Sequence, residues 1–293
     1  MGRMTNLQLF SGCVAIWSTT WLAITYQLGV VAPEMSVAYR FLAASLILFG
    51  WCIGRRLPVA FPLQQHAWFA LFGALTFSVS YVFVYYAEQH IVSGLVAVGY
   101  SASPLLGMLG MRLFFGAPMT ARMAAASTLG IAGIVLVFLP EVLAFRSDAG
   151  SHAGAIYTAL AVLVSALGAL VAHRNQQAKL PLWQTMAWGM LYGALLAAVI
   201  GAAQGAPFAF EATAAYVGSL LYLAVFGSVL AFAGYLTLLG RIGAARASYI
   251  GVMVPVVALF ISAAFEGFRF HVLTWAGIGL SVAGNVLVLQ RQR

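Results

Sequence analysis

Charge is what this chain of 293 residues has least of: Asp, Glu, Lys and Arg together make up 7% of it. With 63% hydrophobic residues and a mean hydropathy of +0.98, it cannot cover a water-facing surface. A lipid bilayer is the solvent such a composition fits. The net charge is +8, but the 14 basic residues are scattered and the longest run is Arg55–Arg56. No nucleic-acid partner is expected, because that needs a basic patch. Cysteine is nearly absent: Cys13 and Cys52 sit alone in apolar runs, with no CxxC pair and no disulfide framework. Also missing are an N-x-S/T sequon, a GxxxxGK[ST] loop, HExxH, GxSxG and any His/Cys/Asp cluster. These absences argue against a nucleotide motor, a metal site, a cofactor and an enzyme.

What the chain does have is long apolar runs. A helix needs ~20 apolar residues to cross the hydrocarbon core. Ten runs meet that need, near 7–28, 35–53, 67–86, 91–114, 121–139, 154–173, 182–202, 215–239, 244–265 and 272–290. The first has no small-residue cleavage site and reads as a retained membrane helix. The links are short ("GRRLP", "AEQH", "GAPMT", "GRIG"), so neighbours run antiparallel. With the N-terminus cytoplasmic, 11 of the 14 basic residues fall at inside ends. The acids Glu34, Glu88, Glu141, Asp148, Glu211 and Glu266 all fall at outside ends. That asymmetry puts both termini in the cytoplasm of a multi-pass inner-membrane protein.

The second half repeats the first. Shifted by 151 positions, Ile91 meets Ile242, Pro104 meets Pro255, Gly116 meets Gly267, and "LGIAGIVLV" meets "LSVAGNVLV". Glycine and proline are positional residues, so their matches weigh most. Two units follow, 1–142 and 150–293, each of five spans. Five is odd, so the second enters the membrane from the opposite side. The expected fold is therefore all-α, ten transmembrane helices in two inverted five-helix repeats around a central cavity, the plan of secondary transporters. Pro104 and Pro255 are expected as a matched pair of bends lining that cavity, where freed backbone groups are tolerated.

Polar and aromatic side chains within spans are the candidate lining. "WSTTW" places Trp17, Thr20 and Trp21 on one helix face. A 3.6 period likewise groups Ser78, Tyr81 and Tyr85. Tyr100, Ser101 and Ser103 precede the first proline, and Ser165, Ser228, Tyr235 and Tyr249 are their counterparts later in the chain. Tyr26, Tyr86, Tyr157 and Tyr249 also fit an interfacial belt. Arg40 is the one charge well inside a span. It suits a substrate carboxylate, an ion pair with Glu88 or Glu34, or snorkelling. No acid sits at mid-span and the five histidines lie at or near span ends, so transport is expected to be downhill or exchange-like.

The ten-span repeat, "WSTTW" in the first span, "SVAYRFLAASLIL" in the second and "SPLLGML" in the fourth resemble the EamA-type members of the drug/metabolite transporter superfamily. Within it the chain looks most like the YddG-type exporters of aromatic amino acids, which also act on methyl viologen. The resemblance implies a basket of helices in which spans one, three, four, six, eight and nine surround the cavity and spans five and ten lie outside. It matches Trp17 and Arg40 to recurrent family positions. The chain lacks the paired Lys or Arg within spans that phosphate-handling relatives carry. The implied cargo is a small molecule, an aromatic or bulky apolar amino acid or an aromatic cation, handled by a monomer or homodimer. Alternatives are a general exporter of threonine, purines or toxic cations, and a channel or scaffold without alternating access.

Overall fold

The computed structural model describes residues 4–118, 120–144, 149–242 and 249–289. Among them ten helical stretches follow one another, and no strand occurs. They are α1 (Asn6–Thr25), α2 (Pro33–Gly54), α3 (Leu63–Glu88), α4 (Ser93–Phe115) and α5 (Ala121–Ala144). Then come α6 (Ala149–Gln177), α7 (Leu182–Ala203), α8 (Ala214–Tyr222, Leu223–Leu230 and Ala231–Ile242), α9 (Tyr249–Phe265) and α10 (Val272–Leu289). Seven of these are long and apolar enough to cross a membrane, and shorter apolar portions occupy α5, α9 and α10. Leu46, Trp51, Leu195, Val199, Phe226, Phe260 and Trp275 are exposed, as lipid-facing side chains are.

Local chemistry sets the helix ends. Thr5 begins α1 with a capping box, its hydroxyl accepting from Gln8 N while the Gln8 side chain accepts from Thr5 N. Pro33 starts α2 within its first turn, where its missing N–H costs nothing. α4 and α9 end alike. Gly116 (φ 66°) and Gly267 (φ 73°) turn left-handed, and the next residues, Ala117 and Phe268, each donate back to the carbonyls of Met111 and Ser262 at 3.2 Å. A side chain at either glycine would meet the steric barrier of that region. The two caps are 151 positions apart, the offset of the sequence repeat.

The same offset recurs inside the membrane. α3 widens to π-helix over Ala74–Val79, and α8 does so over Leu223–Leu230. Shifted by 151, the first segment ends where the second does. A π turn adds a residue and rotates everything beyond it, a device common at functional sites. α5 and α10 pack at backbone contact. A Cβ added to Gly133 would lie 2.4 Å from Ser281 N, and one added to Gly284 would lie 2.6 Å from Gly130 N. Descending α5 from 133 to 130 means ascending α10 from 281 to 284, so the two helices run antiparallel.

The two prolines differ locally. α4 is interrupted: Ser93–Gly99 gives way to a single 3-10 turn, Tyr100–Ala102, and Pro104 lies in the first turn of the segment Ser103–Phe115. Pro104 therefore stands at the opening of a new helical segment. Pro255 lies inside the unbroken helix Tyr249–Phe265.

Candidate functional site

α1, α3, α4, α6, α8 and α9 enclose a central cavity of about 510 Å³. α5 and α10 contribute none of its lining, in keeping with their mutual packing at the edge of the bundle. The rings of Trp17, Trp21, Tyr81, Tyr100, Phe232 and Tyr235 form most of the wall. Trp17 is fixed from two sides. Its Nε1–H donates to Gly227 O in the π segment of α8 at 3.2 Å, and its ring meets Phe232 and Tyr235 at 5.3 and 5.6 Å. Trp21 packs on Tyr100 at 5.1 Å, and the Tyr100 hydroxyl pairs with Ser80 Oγ at 2.9 Å. Ser80 Oγ in turn donates to Ala161 O at 3.1 Å, anchoring this wall to α6.

Hydroxyls punctuate the rings. Thr20, Thr76, Ser103 and Ser165 line the cavity, and the Thr76 and Ser103 oxygens have no partner within the protein. No charged side chain is among the lining residues. A second chamber of about 450 Å³ shares Thr76, Ser165, Phe232 and Tyr235 with the first and reaches His173, Gln176 and Leu182 at the junction of α6 with α7. At the opposite end of the bundle polar contacts close the structure. Tyr85 donates to Gln27, Tyr86 to Glu34 and Gln204, and Ser93 N and Oγ to Glu266.

Of the residues singled out from the sequence, Trp17, Thr20, Trp21, Tyr81, Tyr100, Ser165, Tyr235 and Pro255 all line the central cavity. Ser101 faces a narrow cleft beside it, shared with Pro255 and Ser281. Ser78, Tyr85 and Arg40 are buried outside the lining, with Arg40 stacked at 4.6 Å over the Tyr81 ring. The side chains of Tyr249 and Pro104 lie outside the described residues. The π turn explains Ser78; Tyr85 lies beyond it, one α-helical turn past Tyr81, where its hydroxyl is taken by Gln27. A 3.6 period groups Ser78 with Tyr81, whereas the widened turn aligns Thr76 with Tyr81 instead. Thr76 and Phe232 are lining residues that the periodicity argument missed. The repeat itself held the signal for the second: Tyr81, Tyr100 and Ser103 map at the 151 offset onto Phe232, Gly251 and Val254, and all six line the cavity.

Among the described residues no three His, Cys, Asp or Glu side chains converge as a metal site would need. A lipid-embedded helical bundle around an aromatic, hydroxyl-dotted chamber defines a membrane transporter of small molecules. The chain belongs to the EamA-like transporter family, whose model matches it twice, over residues 5–139 and 152–290. The described fold is thus built from two repeated domains of this family, within the drug/metabolite transporter superfamily. It is 28% identical to the "uncharacterized inner membrane transporter YedA" of Escherichia coli (strain K12), over 96% of this chain and 90% of that protein. "Protein PecM" of Dickeya dadantii is 26% identical over 90% of this chain and 84% of that one. "Protein PagO" of Salmonella typhimurium is 23% identical over 92% and 87%. A solved crystal structure with 17% identity superposes with a TM-score of 0.69, covering 96% of this chain and 95% of that one.

Proposed function

We propose that the protein is an inner-membrane exporter of amino acids, aromatic or bulky apolar ones first, working by alternating access between two inverted five-helix halves, 1–142 and 150–293. One observation carries the reading: a cavity of about 510 Å³ walled by six aromatic rings, with free hydroxyls and no charged lining residue. The volume suits an aromatic amino acid, and pockets for small ligands span roughly 300–1,000 Å³. Ring walls offer edge and stacking contacts to an aromatic side chain. The same faces attract flat cations, so methyl viologen is a second cargo of the same site.

The inverted arrangement is supported by the antiparallel α5–α10 contact, in which Gly133 on Ser281 and Gly284 on Gly130 exchange under one 151-residue shift. The matched π segments and glycine caps support it too. With both termini cytoplasmic, as the basic residues favour, the chamber reaching His173 and Gln176 faces the cytoplasm. The outer end is then the closed one, and the described state is inward-facing.

The test is growth rescue: cells overproducing the protein are challenged with toxic analogues of each amino acid. Resistance to aromatic analogues, lost in Trp17→Ala and Tyr100→Ala, is the expected result. Sensitivity unchanged by overproduction for every aromatic analogue and for methyl viologen contradicts the reading.

A further inference from the structure

Two oppositely charged side chains lie sealed inside the protein just behind the aromatic cavity, and neither is bonded to the other. Arg40, on α2, is 2% exposed, and its Nε and Nη1 have no hydrogen-bond partner. Glu88, the last residue of α3, is 7% exposed, and both its carboxylate oxygens lack a partner. The Nε2 of Gln27, which follows α1, is buried and unpartnered as well. Arg40 and Glu88 lie within electrostatic reach of each other, and Tyr85, which donates to Gln27 and contacts Arg40, joins the third group to them. Buried polar atoms are almost always hydrogen-bonded, and one such exception needs a reason. Five orphaned atoms, donors and acceptors together, gather at the closed end of the bundle without partners of their own.

The Tyr81 ring links these groups to the cavity wall. Arg40 stacks over one face of that ring at 4.6 Å, and the ring also lines the cavity. The Arg40 head also lies over the Phe41 ring at 5.0 Å and against the Tyr85 hydroxyl, while Nε and Nη1 keep no partner. A Cβ at Gly227 would come within 2.8 Å of Thr20 Cγ2 and 3.6 Å of Nη2, so the π segment of α8 packs directly against this wall. On the Glu88 side, Glu266 adds a second carboxylate to the local field, itself occupied by Ser93 and Ser262.

We propose that Arg40 and Glu88, with Gln27, form the receiving site for the zwitterionic head of an α-amino acid. Arg40 and the Gln27 amide donate to its carboxylate, and Glu88 accepts from its ammonium, while the side chain of the cargo stays among the rings. A guanidinium matches a carboxylate in planar geometry. A dipolar ion answers both orphaned charges at once; an anion or a cation alone would leave one of them buried and unmatched. The inference rests on the amino-acid reading above and adds to it where the charged end binds and which cargo is refused.

The test measures binding of L-phenylalanine, L-phenylalaninamide and 3-phenylpropanoate to purified protein in nanodiscs. Wild type should prefer phenylalanine to either analogue by roughly 10- to 100-fold, the range of a hydrogen-bonded charge pair. In Arg40→Gln the preference over the amide should collapse while that over phenylpropanoate remains. In Glu88→Gln the reverse should hold. A variant that merely misfolds loses both preferences together, and R40K and E88D then decide by the same split. Wild type that binds all three ligands equally, or variants that keep both preferences, overturns the site while leaving an amino-acid carrier intact. Wild type that binds none of the three overturns the site and the amino-acid reading together.

Discussion

Gly133 rests on the backbone of Ser281, and its repeat partner Gly284 rests on the backbone of Gly130. One contact is thus made twice, by residues that exchange under the 151-residue shift, at the seam between α5 and α10. Small residues at such seams let helices approach closely where lipid offers no hydrophobic drive for association. Gly133→Val and Gly284→Val should each lower stability by about 1–3 kcal/mol through overpacking. Gly279→Ala in the same helix α10, where a Cβ would meet nothing within 4 Å, is the control that should not destabilise. Thermal unfolding in detergent reads all three.

Trp17 ties α1 to α8 through Nε1 and Gly227 O while presenting its ring to the cavity. Trp17→Ala removes both, and ring stacking with a planar ligand is worth about 0.5–1.5 kcal/mol beyond area burial. Cargo affinity should fall by roughly tenfold or more. Trp17→Phe keeps a ring but not the N–H and should lie between. Equilibrium binding to the purified protein separates the three forms. Equal affinities would remove Trp17 from the site.

Glu266 latches α9 to the start of α4. It accepts from Ser93 N at 3.0 Å, from Ser93 Oγ at 2.6 Å and from Ser262 Oγ, which itself accepts from Gly94 N at 2.8 Å. At the 151 offset these residues map onto Phe115, Ala244 and Met111, which carry no such groups. The residues of the polar latch thus have no like counterparts in the repeat. Glu266→Leu and Ser262→Ala should shift the protein toward the state open at the latch end. Accessibility of a cysteine at Tyr81 to an impermeant reagent added outside should rise in both. No change in either variant would show that the latch does not set the resting state.

The links at 55–62 and 204–213 should lie on opposite faces of the membrane. Single cysteines at Val59 and Phe208, both outside the helices, should be labelled by an impermeant reagent from the cytoplasmic and the outer side respectively. Labelling of both from one side would rule out inverted halves.

How much of this was legible beforehand depends on which signal each residue carries. Span positions follow from composition, because lipid demands apolar runs of helical length, and α2 and α7 start and stop within two residues of the apolar runs. Trp17, Thr20 and Trp21 were legible because α1 is a plain α-helix and their spacing puts them on one face. Ser78 misled because a π turn leaves no mark in the hydrophobic period, and Tyr85 because it sits a turn nearer the closed end, bonded to Gln27. Thr76, the lone hydroxyl of "GALTF", was visible in the sequence but out of register with the assumed face. Glu88 reads as an acid at an aqueous helix end, yet the helices around the end of α3 bury it. Only tertiary contacts decide that, and no local pattern records them.

The account stands on cargo occupying the chamber shared by both halves while that chamber faces one side. Ser165 lines both parts of it, and the two native thiols, Cys13 and Cys52, are buried, so the test uses a background with both exchanged for serine. Ser165→Cys in that background should react with an impermeant thiol reagent from the cytoplasmic side, and L-phenylalanine or methyl viologen should slow the reaction in proportion to its own binding. A rate that neither ligand alters at saturating concentration would contradict it.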